Sequence, residues 1–190
     1  MYNPGKRMTA PEKSQQDDAP ILVVPYDAGW PGLFVKERGV LEDLLKQWLV
    51  GPIEHVGSTA VPGLAAKPVI DIMAGVKNLE ESRPAIPVLA FLGYCYFPYQ
   101  PEQKHWFCKP SPAFRTHHLH LVPFGSRHWD ERLLFRDYLR RNHEIAEEYA
   151  ELKRGLAKRY EFDREGYTEA KGPFIQRILG LAAARRSSSV

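Results

Sequence analysis

Glu54-His55-Val56-Gly57-Ser58-Thr59-Ala60-Val61-Pro62-Gly63-Leu64-Ala65-Ala66-Lys67-Pro68-Val69-Ile70-Asp71-Ile72 is the stretch whose reading decides the fold. Two short core strands bracket it: Ile53 to Val56, partly β-branched, and Val69 to Met73, an apolar run broken by one acid. A strand ending in Gly57-Ser58 frees backbone N–H groups in a tight turn, and the hydroxyls of Ser58 and Thr59 add to a small concave anion site. Asp71 is the odd residue. An unpaired carboxylate in an apolar strand would cost on the order of several kcal/mol, so it must meet a cation, a cluster of donors or solvent at a cleft.

Further along the chain, His118 and His120 alternate by two, so on a strand they share a face, while His117 points the other way. Two imidazoles on one face can ligate a metal, act as a general base or donate to phosphate oxygens. Asp71, His118 and His120 are therefore the catalytic and metal-ligating candidates. Gly57, Ser58, Thr59, Lys67, Arg136 and Lys171 are the phosphate or nucleotide candidates. Lys67 precedes the Asp71 strand and can reach a phosphate as a point charge. Lys171 precedes Gly172-Pro173, where a restarting helix would present N–H groups. Arg136, flanked by Phe135 and Asp137, suits either a phosphate or a structural ion pair. His55 and His105 stand singly, and the Glu147, Glu148, Glu151, Lys153, Arg154 cluster reads as a solvated helix face. Trp30, Trp48, Phe135 and Tyr138 read as core, as do Cys95 and Cys108 on neighbouring strands.

The order of elements follows from periodicity. Ile21 to Val24 is a strand-like run, and Pro31 opens a helix whose stripe is Leu33, Phe34, Leu41, Leu44, Leu45 and Trp48. After the two core strands the pattern turns helical again beyond Asn78, starting late because Pro84 and Pro87 are tolerated only near a helix beginning, and Gly93 is placed to end it. Tyr94 to Tyr99, His105 to Lys109 and His117 to Phe124 read as three more strands. Trp129 to Arg141 and Glu144 to Tyr160 are helical with Asn142 as an N-cap between them, and Asp163 caps a last helical region. The expected class is α/β (α+β): a small mixed five-stranded sheet flanked by helices, with a helical C-terminal part.

With 190 residues and 44% hydrophobic content, the chain suits one domain, expected over residues 21–184 between an arm (1–20) and a tail (185–190). A net charge of +3 is too small to point to nucleic acid or a membrane surface, so polyanion binding has to be local. Two cysteines without CxxC spacing and an opening segment that does not read as a leader give a cytoplasmic expectation. The residues leave the oligomeric state open.

A Gly-Ser turn followed about a dozen residues later by an acid on the next strand resembles the signature of the nucleotidyltransferase superfamily, in which the turn holds a triphosphate and strand acids bind magnesium. The resemblance narrows with further blocks: Val24-Pro25-Tyr26-Asp27, Trp30-Pro31, His55 to Leu64, Lys67-Pro68, His117 to His120, Phe135 to Leu139 and Tyr167 to Lys171. Together these are similar to the GrpB family, also called UPF0157. That resemblance implies a nucleotidyltransferase-like fold, a bacterial cytoplasm and members fused to dephospho-CoA kinase, without fixing an activity, while the superfamily signature implies Mg²⁺ or another divalent metal as cofactor. One departure matters: active transferases carry a second acid two residues after the first, and here that position is Met73. The leading expectation is a small-molecule nucleotide or other phosphate ligand bound with Mg²⁺, with nucleotidyl transfer as its chemistry. The alternatives are a non-enzymatic nucleotide- or CoA-related binding module and a His/Asp metal-dependent hydrolase.

Overall fold

The computed structural model describes residues 19–187, so most of the expected arm lies outside the described residues. A helix α1 (Trp30–Leu45) leads into strand β1 (Leu49–Val56), a 3₁₀ turn (Ser58–Ala60) and strand β2 (Ile70–Val76). Two short helices, α2 (Leu79–Ser82) and α3 (Ala85–Ala90), precede β3 (Cys95–Phe97), β4 (His105–Pro110) and β5 (Arg115–Pro123). Four helices close the chain: α4 (Arg127–Arg141), α5 (His143–Arg159), α6 (Arg164–Ala170) and α7 (Gly172–Ser187). The sheet runs β1-β2-β5-β4-β3, with β2 and β5 parallel and the other pairs antiparallel. This is the mixed five-stranded sheet that the sequence predicts.

The two sheet faces have different fates, and period-two alternation sorts the residues between them. Ile70, Ile72, Ala74 and Val76 of β2 join Leu119, Leu121 and Phe107 in the main core beneath α1 and α3, where Leu41, Leu45 and Leu89 are fully buried. Asp71 and Met73 point to the opposite face. There Met73 packs with Val56, Val122 and Trp129 of α4, at 1% exposure, so this position holds hydrocarbon contact rather than solvent. The C-terminal helices build a second core of their own around Tyr138, Tyr149, Phe174 and Ile178, into which Val61, Leu64 and Ala65 reach from the loop after the turn. They cover only part of the second face, and the uncovered part becomes a cleft.

Several local expectations are corrected. Ile21 to Val24 forms no strand; Val24 makes a single bridge to Ala66, with reciprocal backbone hydrogen bonds of 2.9 Å. The late-starting helix expected after Asn78 is α3, with Pro84 and Pro87 at its beginning, but the separate short helix α2 precedes it. Asn78 caps α2 by accepting from the Glu81 N–H at 2.8 Å. Asn142 does not cap α5; its amide donates backwards to the Tyr138 carbonyl at 2.7 Å. Asp163 does cap α6, accepting from the Gly166 N–H at 2.8 Å. The tail expectation at residue 185 also changes, since α7 continues to Ser187 and Arg185 donates to Asn142 at 2.9 Å.

Candidate functional site

The Gly57 backbone has φ +72° and ψ −170°, a region that essentially only glycine occupies. The need is steric as well, because a Cβ there would lie 2.3 Å from Asp71 Oδ2. The turn therefore abuts the carboxylate across β1 and β2, where Val56 is the register partner of Asp71. Beyond the turn, a cleft of about 670 Å³ opens between the second sheet face and the helices α4 to α6. That size matches ordinary small-molecule sites.

Seven of the nine candidate residues line it: Ser58, Thr59, Lys67, Asp71, His118, His120 and Lys171. Gly57 stands behind Asp71. Arg136 is elsewhere: its guanidinium donates to Glu54 and Asp137 at 2.7 Å and to the His55 carbonyl at 2.9 Å, with 9% exposure. This corrects its assignment as a phosphate contact. Arg140, one turn further along α4, donates to the Ala60 carbonyl at 2.9 Å, so this helix clamps the turn from behind. Thr59 is also committed, since its hydroxyl donates to the Val69 carbonyl at 3.2 Å and meets His55 Nε2 at 3.0 Å. His55, stacked on Phe34, and His105, bonded through Nε2 to the Leu79 carbonyl at 2.8 Å, are structural. His117 faces the α1 side, as alternation requires, with its Nδ1 2.9 Å from the Thr116 hydroxyl.

The cleft wall carries seven lysines and arginines against three carboxylates. Five of the seven, Lys104, Arg115, Arg132, Lys153 and Arg164, are not singled out by the sequence for this site. Lys153 reverses an expectation. It is 2% exposed rather than solvated, donating to the Ala65 carbonyl beside the Tyr149 ring. The signal for it was present: Lys153 is four residues after Tyr149 and four before Ala157, on the buried stripe of α5. Lys67 and Lys171 lie 5.2 and 4.4 Å from the Tyr167 ring centroid. Burial, followed by repulsion from neighbouring cations, presses Lys104, Lys153 and Lys171 down to about 7. At one end Phe97, Tyr99 and Trp106 form an aromatic wall, with ring centroids 5.6 and 6.4 Å from Trp106.

On the cleft floor, His118 Nδ1 lies 2.9 Å from Asp71 Oδ1, as the in-register pairing of β2 with β5 demands. His120 Nε2 is 3.9 Å from the same oxygen, beyond hydrogen-bond reach. Burial acts to raise the Asp71 carboxyl, but the two imidazoles outweigh it and hold the group well below the usual range. Its side chain keeps 26% of its surface open.

These donors do not fit a resident Mg²⁺. That ion wants several hard oxygens in an octahedron, whereas one oxygen of the single floor carboxylate is bonded to an imidazole and the other lies against Gly57. Met73 supplies no second acid. Among the described residues no group of three or more His, Cys, Asp or Glu is placed to hold a metal.

Residues 20–180 match the family model described as GrpB protein. The chain belongs to the GrpB family. A UPF0157 protein of Pseudomonas aeruginosa is 43% identical over 90% of this chain and 71% of its own. The crystal structure of conserved protein GrpB from Enterococcus faecalis matches with a TM-score of 0.78 at 33% identity, covering 87% of this chain and 99% of that one. A dephospho-CoA kinase of Mycolicibacterium paratuberculosis is 26% identical over 83% of this chain and 45% of its own. No helix among the described residues of this GrpB chain is long and apolar enough to cross a membrane.

The buried histidines predict how stability varies with pH. Burial lowers His55 and His128 to about 4, and it lowers His105, His118 and His120 as well. A base whose folded pKa lies below its unfolded value binds fewer protons folded than unfolded. Its stability contribution is complete above about pH 6.5 and declines as the pH falls toward the folded value. Each such histidine removes about 1.4 kcal/mol per pH unit within that window. Thermal melts from pH 7.5 to 4.5 should show a continuous fall in midpoint, to which the lysines held near 7 contribute only above about pH 6.5 and the histidines below it, and a profile flat below 6.5 would contradict the neutral histidines.

Proposed function

We propose that the cleft binds a phosphate-bearing small molecule of the nucleotide class and neutralises its charge with protein cations. The observation that carries this reading is the excess of seven lysines and arginines over three carboxylates in one cleft beside the Gly57-Ser58 turn. Lysines buried against one another are unfavourable without a counter-charge, and a polyanion supplies it. The aromatic wall offers a flat surface to a base, since every base has a π-face. The turn and Ser58 present donors to phosphate oxygens. The dephospho-CoA kinase match favours adding coenzyme A to the ligands tried. The cytoplasm, where nucleotides are abundant, is the compartment this reading assigns.

Calorimetry with ATP, ADP and coenzyme A, each in EDTA and in Mg²⁺, tests it. Binding should persist in EDTA and weaken with added salt. Lys67→Ala and Lys171→Ala should each lower affinity about tenfold, the loss of one charge-assisted contact. Binding should also draw protons onto the lysines held near 7, so above neutral pH the apparent enthalpy will depend on the buffer's ionisation enthalpy. Absence of heat with every one of these ligands defeats the reading.

A further inference from the structure

The cleft floor holds more chemistry than binding a phosphate requires. We propose that Asp71 orients His118 as a general base, so that the site activates an O–H nucleophile for attack on the bound phosphorus without a resident metal ion. The proposal rests on the phosphate-ligand reading and adds a reaction to it.

Geometry assigns the roles. An ionised carboxylate can only accept, so the 2.9 Å contact to Asp71 Oδ1 puts the ring hydrogen of His118 on Nδ1. That leaves a lone pair on Nε2, the nitrogen at the other side of the ring. Nε2 is buried and has no hydrogen-bond partner. An orphan nitrogen alone is not a signature, because His105 has one too. The His105 ring, however, is tied to the Leu79 carbonyl on the opposite sheet face, away from the cleft. His120 faces the cleft, but at 3.9 Å it is too far from Asp71 to be fixed in one tautomer. Only His118 combines the cleft, the acid and the orphan nitrogen. Burial holds its ring neutral against the pull of Asp71, with Lys67 and Arg115 acting in the same direction as burial. Trp106, 5.2 Å away centroid to centroid, limits the ring's movement.

The step balances as follows. The nucleophile oxygen forms a bond to phosphorus while its proton passes to His118 Nε2. The bond from phosphorus to the leaving oxygen breaks, and the electron pair departs on that oxygen, where the Lys67 and Arg115 charges stabilise it. Asp71 stabilises the imidazolium so formed, which later returns its proton to the leaving group. In this scheme the carboxylate orients an imidazole, which explains why it does without a second acid at position 73.

The 190-residue chain is tested with ATP as probe and excess EDTA throughout. Phosphorus NMR should show slow ATP cleavage in the wild type. His118→Gln should slow it about 10³-fold, within the range general bases contribute. Asp71→Asn should lower kcat similarly while KM moves only a few-fold, because the amide can donate and stabilise the other tautomer. Calorimetry should find ATP still bound by both variants. Independently of any substrate, ¹⁵N spectra should show the His118 ring with its hydrogen on Nδ1, and Asp71→Asn should shift that population. Binding with no cleavage, cleavage unaltered in His118→Gln, or a hydrogen on Nε2 each overturns the base while leaving the ligand reading standing. If no ATP binds, the ligand reading falls, and this proposal falls with it.

Discussion

Replacing Gly57 with alanine should lower the melting midpoint by about 6–12 °C, the effect of roughly 3 kcal/mol on a chain of this size. Two causes combine. The backbone at φ +72° and ψ −170° costs a residue with a Cβ about 1–3 kcal/mol wherever it occurs. The new methyl would also stand 2.3 Å from Asp71 Oδ2 and 2.9 Å from its Cβ and Cγ, so the carboxylate or the turn has to move. Gly63 separates the causes. It too has positive φ, +79°, but a Cβ there would meet nothing within 4 Å. Gly63→Ala should therefore show only the backbone cost, on the order of 1–2 kcal/mol. A thermodynamic cycle of Gly57→Ala with Asp71→Ala should reveal a coupling of about 1 kcal/mol or more, as residues in contact do. Equal melting of Gly57→Ala and the wild type would mean that the turn does not abut the aspartate, and the site as described would not exist.

The same contact explains how the fold makes the site. Antiparallel pairing of β1 with β2 puts the turn beside Asp71, and parallel pairing of β2 with β5 puts His118 on its other side. Three distant sequence segments thus converge through backbone hydrogen bonding alone. The cations arrive by a different route, on α4, α5, α6, the segment before β2, the turn before β4 and the start of β5, around the part of the second sheet face that the helices leave uncovered.

That division of labour accounts for what could be read from sequence. The strand residues were legible: an acid inside Val69 to Met73 and histidines two apart are anomalies against a strong local pattern, and both reached the cleft. The helical residues were less so, because a lysine or arginine on a helix looks the same whether its head is in water or in a cleft. Lys153 hides within a run of charged neighbours, and only the stripe from Tyr149 to Ala157 betrays it. Lys104 lies just before β4 and Arg115 at the very start of β5, where periodicity gives no guide, and their aromatic partners Tyr99 and Trp106 come from other turns of the chain. The late start of the helix after Asn78 was signalled by its two prolines, but the bridge from Val24 to Ala66 was not, since one bridge has no pattern.

Arg136 is the residue for which sequence and structure disagree most usefully, and Arg136→Met should cost about 3 kcal/mol, lowering the midpoint by some 6–12 °C. Its guanidinium answers two carboxylates and the His55 carbonyl at once, so methionine fills the volume but leaves a buried acceptor without a donor and two acids side by side. Glu54 and Asp137 keep about 30% of their surface, which lets water relieve part of the penalty and sets the cost at the low end for a broken buried pair. Arg136→Lys retains the charge but not the fork that serves three acceptors, and should fall between the two. The decisive comparison is with ATP binding measured well below the melting midpoint. Because Arg136 faces away from the cleft, its replacement should leave the salt dependence of binding unaltered, whereas Lys67→Ala should reduce it. A variant that melts normally yet loses ATP affinity as Lys67→Ala does would return Arg136 to the phosphate and place the turn's support elsewhere.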